Sequence, residues 1–175
     1  MNSRECASQE NSSVSISRQS LEIRPVRTRE HFLFNLLNFL YFRRAAGVRF
    51  LMEGGPFATF VVIPYVALSE VYFLKQWRYF IVLEHRVVGV LALRERIRTL
   101  YIRSLAVSPD CRRIGIATYA LNQAAAIARK LCKEALELSV LKKNTPAVRL
   151  YERRGYRVEE EKRRSFILRK QIGQP

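Results

Sequence analysis

"LAVSPDCRRIGIATYA" occupies residues 105–120. Its first part closes a strand-like run, "TLYIRSLAVSP", which Pro109 ends because proline cannot donate to a ladder. Its last part opens a helix from about Ile114 to Leu131. There Ala117, Leu121, Ala124, Ala128 and Leu131 recur at steps of four and three, forming a narrow, alanine-rich face suited to close packing on a sheet. Between strand and helix stand Arg112, Arg113 and Gly115. The first amides of a helix lack internal acceptors, and the helix dipole adds partial positive charge there. Together they bind phosphate. Gly115 lets the backbone come close to a ligand, and Ala117 keeps the next approach narrow. The junction is a nest for a polyanion such as a pyrophosphate. The competing reading is a surface turn with two solvated arginines.

Downstream, "ALELSVL" is a strand with Leu136, Leu138 and Val140 on one side and Glu137, Ser139 and Leu141 on the other. "NTPAVRLYERRG" is a short helix: Asn144 or Thr145 caps it, Pro146 sits in its first turn and Gly155 closes it. "YRVEEEKRRSFILRK" finishes as two strands. Upstream, "RYFIVLEHR" and "RVVGVLALRE" form a hairpin turning near Glu84 to Arg86. "LEIRPVR" (21–27) is a short edge strand, and Thr28 caps a helix that stops near Gly47, with Phe32, Leu36, Phe39 and Leu40 as its apolar stripe. Residues 48–78 are ambiguous: Gly54-Gly55-Pro56 is a break, and "YVALSEVYFLKQW" is a candidate second helix. The order predicts an α/β (α+β) fold, with a mixed central sheet of about six to seven strands flanked by about four helices.

The chain of 175 residues fits one domain, 21–170, after a serine-rich flexible tail, 1–20, that has no apolar signal core. At 49% hydrophobic it can build a core. Cys6, Cys111 and Cys132 are far apart and odd in number, which excludes a disulfide framework and zinc-ligand spacing. No metal is expected, and reduced thiols suggest a cytoplasmic protein. "FATFVVIPYVAL" (57–68) is apolar but interrupted by Pro64, and it is shorter than the roughly 20 residues a membrane span needs. The 31 Lys+Arg against 15 Asp+Glu give a net charge of +16. Such a field attracts phosphorylated cofactors, nucleic acid or a ribosome, or simply keeps the chain soluble.

Residue types and order resemble the GNAT family of N-acetyltransferases. "RRIGIA" is similar to that family's Q/R-x-x-G-x-G/A signature, with Arg112, Gly115 and Ala117 in its three defined places. "LSVLKKNTPAVRLYERRGYR" resembles its L-x-V-x-x-x-N-x-x-A-x-x-L-Y-x-x-x-G-F segment, through Asn144, Ala147, Leu150, Tyr151, Gly155 and Tyr156. The nearest branch in motif is the ribosomal-protein and peptide N-terminal acetyltransferases. The resemblance implies acetyl-coenzyme A as donor, a primary amine as acceptor and direct attack on the thioester. It places the coenzyme's pyrophosphate on Arg112, Arg113, Ile114, Gly115, Ile116, Ala117 and Thr118, and its pantetheine arm on Leu105, Ala106, Val107 and Asn144. Tyr151 would protonate the leaving thiolate, because a phenol with pKa near about 10 keeps its proton at neutral pH.

The pattern breaks at the general base. The branch often has a glutamate where this chain has Ser139, and serine cannot serve. Glu137, two residues earlier on the same strand face, Glu95 and Glu70 are the candidates. His31 and His85 are isolated, and Cys111 reads as a turn residue rather than a nucleophile. Residues 142–170 hold 11 Lys/Arg and 4 Glu, a face for the coenzyme's 3′-phosphate, for nucleic acid or for water. The alternatives are a non-catalytic basic module and a small-molecule acetyltransferase. The chain is expected as a monomer or homodimer, with no membrane partner.

Overall fold

Residues 21–43 and 76–173 are described by a computed structural model. The 1–20 tail, Cys6, Glu70, the apolar stretch 57–68 and most of the ambiguous region 48–78 lie outside the described residues. Among the described residues seven strands form one sheet: β1 (Leu21–Pro25), β2 (Gln76–Leu83), β3 (Arg86–Glu95), β4 (Thr99–Val107), β5 (Ala135–Leu141), β6 (Arg157–Glu161) and β7 (Ser165–Gln171). Their order is β1-β2-β3-β4-β5-β7-β6. Only β4 and β5 are parallel, so the sheet is mixed. The described residues hold three helices, α1 (His31–Arg43), α2 (Ile116–Lys130) and α3 (Thr145–Arg153), against about four expected. Gln76 and Trp77 begin β2 rather than ending a helix.

The β2–β3 hairpin turns on Glu84 and His85, whose φ values are 49° and 66°. Two left-handed residues match the twist of the strands they join. The parallel β4–β5 pair needs a crossover, and α2 supplies it. One sheet face buries Leu91, Leu93, Ile102 and Leu138 against Leu121, Ala124 and Ala128 of α2 and Tyr151 of α3. The other buries Phe80, Val90, Ala92 and Ala106 under Phe34 of α1.

Two helix faces differ from the expected ones. Among the described side chains of α1, Phe34 is buried with Leu37 beside it, while Phe32, Leu36 and Leu40 are exposed; the Phe39 side chain lies outside the described residues. The helix is apolar nearly all round, so periodicity could not select its inner face. In α2, Ile116 and Ala120 are buried, whereas Ala117 and Leu131 are half-buried. Thr28 does not cap α1: it begins a short 3-10 turn, Thr28–Glu30. The Glu30 carboxylate accepts from the Arg27 N–H and from Arg24, which holds its pKa down at about 2.

The feature that positions the site is a split between β4 and β5. Their pairing runs from Thr99↔Ala135 to Ile102↔Leu138 and stops. On its other side β4 stays paired with β3 as far as Gly89↔Val107. The register shifts there between Ala92 and Leu93, leaving Arg103 as the extra residue, and a bulge of this kind bends its strand. A cleft therefore opens between residues 103–107 and 139–141.

Gly89 lies along this bent strand. A Cβ there would sit 2.8 Å from the Ala106 carbonyl oxygen and 2.9 Å from Ile81 Cδ1. Gly89→Ala is expected to destabilise the fold by about 1–3 kcal/mol, read as a lower denaturant midpoint. Among the described residues no helix is long and apolar enough to cross a membrane.

Candidate active site

The predicted nest is built at the open end of the cleft. β4 ends at Val107, and a 3-10 turn, Pro109–Cys111, leads into residues 112–115. Arg113 and Gly115 have φ values of 67° and 93°. Left-handed residues beside ordinary ones turn successive amides toward one concavity. Gly115 is the N-cap of α2, and no side chain caps that end. The amides of Ile116, Ala117 and Thr118 thus have no intrahelical acceptor. A Cβ built on Gly115 meets nothing within 4 Å, so the space before the helix is open. Arg112 and Arg113 are exposed beside it. Arg112 Nε donates to the Val107 carbonyl at 3.2 Å, which folds that arginine back over the end of β4.

Leu105, Ala106 and Val107 form the β4 wall of the cleft, in the segment that has left β5. Leu105 packs into the same cluster as Tyr151, so the tyrosine stands on the face to which Leu105 points. Tyr151 is 8% exposed, and burial pushes its pKa up to about 12. Tyr156 packs edge-on against it, with ring centroids 5.6 Å apart. Burial, and the nearby Tyr151, raise the Tyr156 pKa too. Its hydroxyl is buried with no hydrogen-bond partner among the described residues. Both phenols hold their protons in the folded chain at pH values where an unfolded phenol, near about 10, has lost them. Stability is therefore expected to fall as pH rises past about 10, a decline that a series of alkaline melting curves would record.

Asn144 starts α3, three residues beyond the end of β5. Its carbonyl accepts from the Ala147 and Val148 amides at 3.0 Å, but its side chain makes no capping bond. Nest, β4 wall, Asn144 and Tyr151 thus gather around the cleft.

Glu137 and Glu95 do not. Glu137 sits in the paired part of β5, opposite Tyr101, where Arg96 Nη1 donates to it at 2.5 Å. Glu95 lies opposite Leu100 and pairs with Lys133 at 2.7 Å. Both stand in the paired part of the sheet, Glu137 one residue before the last β4–β5 pair and Glu95 at the far end of β3. The physical reason is local: cations of the β3–β4 and α2–β5 connections claim them. Ser139 is exposed on the β5 wall. Glu137→Gln is expected to leave kcat within about threefold and to cost at most about 1 kcal/mol of stability, the usual worth of a partly exposed ion pair. Kinetics and a denaturant titration check both.

One polar pair was not foreseen. Ser104 Oγ donates to Asn38 Oδ1 at 2.5 Å, tying α1 to the split segment of β4. The one signal was a serine among the inward-facing residues of that strand. Cys111 packs against the cluster of Ile81, Val88 and Ile116, as a turn residue does. No group of His, Cys, Asp and Glu among the described residues has metal-binding geometry.

Solved structures share this fold. A PaiA N-acetyltransferase from Thermoplasma acidophilum, in complex with coenzyme A, matches with TM-score 0.72 and 16% identity, over 87% of this chain and 99% of that one. A GNAT family acetyltransferase from Elizabethkingia anophelis with acetyl-CoA bound matches with TM-score 0.65 and 13% identity, over 89% and 100%. The spermidine/spermine N-acetyltransferase SpeG from Vibrio cholerae matches with TM-score 0.62 and 16% identity, over 88% and 95%. At these identities the likeness is one of fold. No curated protein matches in sequence. The model of the acetyltransferase (GNAT) family matches residues 57–156, more than half of the chain. The split sheet, the uncapped glycine-led helix and the sequence match agree, and the chain belongs to the GNAT acetyltransferase family.

Proposed function

We propose that the chain transfers an acetyl group from acetyl-CoA to the primary amine of a peptide or protein, by direct attack on the thioester. The observation that carries this reading is the split between β4 and β5, which ends at an uncapped helix N-terminus. Acetyl-CoA supplies an activated acetyl thioester when bound. The amides of Gly115 to Thr118 and the charge of Arg112 and Arg113 hold its pyrophosphate. Backbone groups of Leu105 to Val107 line its arm and face the charge that develops on the carbonyl oxygen. The uncapping Asn144 side chain binds the arm from the opposite wall. Much of the acceleration comes from holding amine and thioester together.

Tyr151 keeps its proton until the thiolate leaves, then donates it. The amine must be neutral to attack. Glu95 and Glu137 are not in place to take its proton, and this reading assigns solvent in the open cleft as the acceptor. A peptide amine rests on motif resemblance, through residues 138–157, to the GNAT family, whose nearest branch in motif is the ribosomal-protein and peptide N-terminal acetyltransferases. The SpeG likeness favours a second reading, a polyamine acceptor. A chain of net charge +16 repels such a polycation.

A screen of peptides and small amines with acetyl-CoA, followed by thiol release, tests the proposal. Amine-dependent release of coenzyme A is expected, fastest with peptide N-termini. Binding of acetyl-CoA without transfer to any amine would overturn the catalytic reading and leave a non-catalytic module. Faster transfer to polyamines would overturn the peptide assignment.

A further inference from the structure

The two ends of the sheet differ in how their charges are arranged. At the closed end three cations meet carboxylates: Arg96 on Glu137, Arg98 on Glu134 at 2.8 Å, and Lys133 on Glu95 at 2.7 Å. At the open end the β6–β7 turn is tied to the end of β5. The Lys142 N–H donates to the Arg164 carbonyl at 3.0 Å, and Leu141 lies opposite Ser165. This tie places Lys142, Lys143, Lys162, Arg163 and Arg164 along the β5 rim of the cleft. Glu161 holds Lys142 at 2.5 Å, and Glu160 holds Lys162 at 3.7 Å. Lys143, Arg163 and Arg164 are exposed and have no carboxylate partner among the described residues. The opposite rim carries Arg112 and Arg113 beside Asp110. Seven cations on the two rims thus stand against three carboxylates, Asp110, Glu160 and Glu161.

The nest uses the β4 rim. The three cations on the β5 rim belong to two turns that meet at the open end of β5, and all three are exposed there. We propose that this rim receives the acceptor, and that the acceptor is an acidic peptide. Its terminal amine enters the cleft while carboxylates just behind it meet Lys143, Arg163 and Arg164. The inference rests on the acetyl-transfer reading and names its substrate class. A focused positive field concentrates anions at the mouth and repels cationic amines. The same field disfavours a charged ammonium, so the amine arrives ready to attack. Nucleic acid fits this rim less well, because single strands bind on exposed aromatic rings between cations. The ring here, Phe166, is half-buried, and Lys142 covers it at 5.2 Å.

The test uses labelled peptides with a free N-terminus, in matched pairs that are Glu-rich or Lys-rich behind the same first residues. Binding to the full chain saturated with coenzyme A is read by anisotropy, and transfer is read with acetyl-CoA. The acidic member is expected to bind at least about tenfold more tightly, a preference that shrinks as salt screens it, and to be acetylated faster. In the Arg163→Glu/Arg164→Glu variant the preference is lost, while acetyl-CoA affinity by calorimetry is unchanged. Both sites are in an exposed turn, and Arg163→Gln/Arg164→Gln, expected to be intermediate, guards against a misfolded reversal. Equal or better handling of the basic member overturns the inference. So does an unchanged preference in both variants, binding of the acidic peptide without transfer, or tighter binding of an RNA oligonucleotide through the same arginines. A chain that binds no acetyl-CoA overturns the acetyl-transfer reading itself; one that binds it and acetylates basic peptides overturns only the acidic assignment.

Discussion

Tyr151→Phe is expected to lower kcat by about 10²- to 10⁴-fold, the usual worth of a positioned general acid, while acetyl-CoA affinity stays within about threefold. Phenylalanine keeps the ring that packs edge-on with Tyr156 in the core cluster that Leu91 and Leu105 share. The fold should therefore survive, and the loss should fall on the chemical step. Burial has pushed the Tyr151 pKa up to about 12, so the phenol is protonated at every pH at which the enzyme is assayed. In the native enzyme no fall in kcat between about pH 7 and 10 should come from this residue. A drop in kcat with unchanged calorimetric affinity supports the role. An unchanged kcat removes Tyr151 from the mechanism and leaves it as a core aromatic.

Gly115→Leu is expected to abolish measurable coenzyme binding. Two effects operate at this position. Its φ of 93° strains any side chain, at a cost of about 1–2 kcal/mol. That side chain also projects into open space, since a Cβ meets nothing within 4 Å. The added bulk therefore leaves the core intact and fills the mouth of the nest. Gly155→Ala separates the two effects. Gly155 has φ 81°, and a Cβ there meets nothing nearer than Lys170 Cε at 3.9 Å. It shares the strain but closes α3 away from the nest. It should lower the melting temperature slightly and leave coenzyme affinity alone. Equal loss of affinity in both variants would show that strain, not the nest, governs binding.

The elements of the candidate site were legible because their local chemistry is self-contained. A proline after β4, a glycine at the start of α2 and an asparagine before α3 act within a few residues of themselves. β5 was legible for the same reason: its alternation of Leu136, Leu138 and Val140 with Glu137 and Ser139 has period two. The inner face of α1 was not, because an almost uniformly apolar helix carries no phase. The bulge at Arg103 was not legible either. A bulge is a mismatch between two strands, and no single strand records it. The fates of Glu95 and Glu137 depended on Lys133 and Arg96, cations brought to them only by tertiary pairing. Spacing along β5 placed Glu137 on the correct face of the strand but could not show that the split begins beyond it.

The proposed activity requires that the β4–β5 cleft and the α2 N-terminus hold acetyl-CoA. A crystal structure of the chain with bound acetyl-CoA tests it most directly. The pyrophosphate is predicted to lie within hydrogen-bond distance of the amides of Gly115 to Thr118. The pantetheine is predicted to run along Leu105 to Val107, with its sulfur beside the Tyr151 hydroxyl. Coenzyme bound elsewhere, or a sulfur held away from Tyr151, would contradict the account.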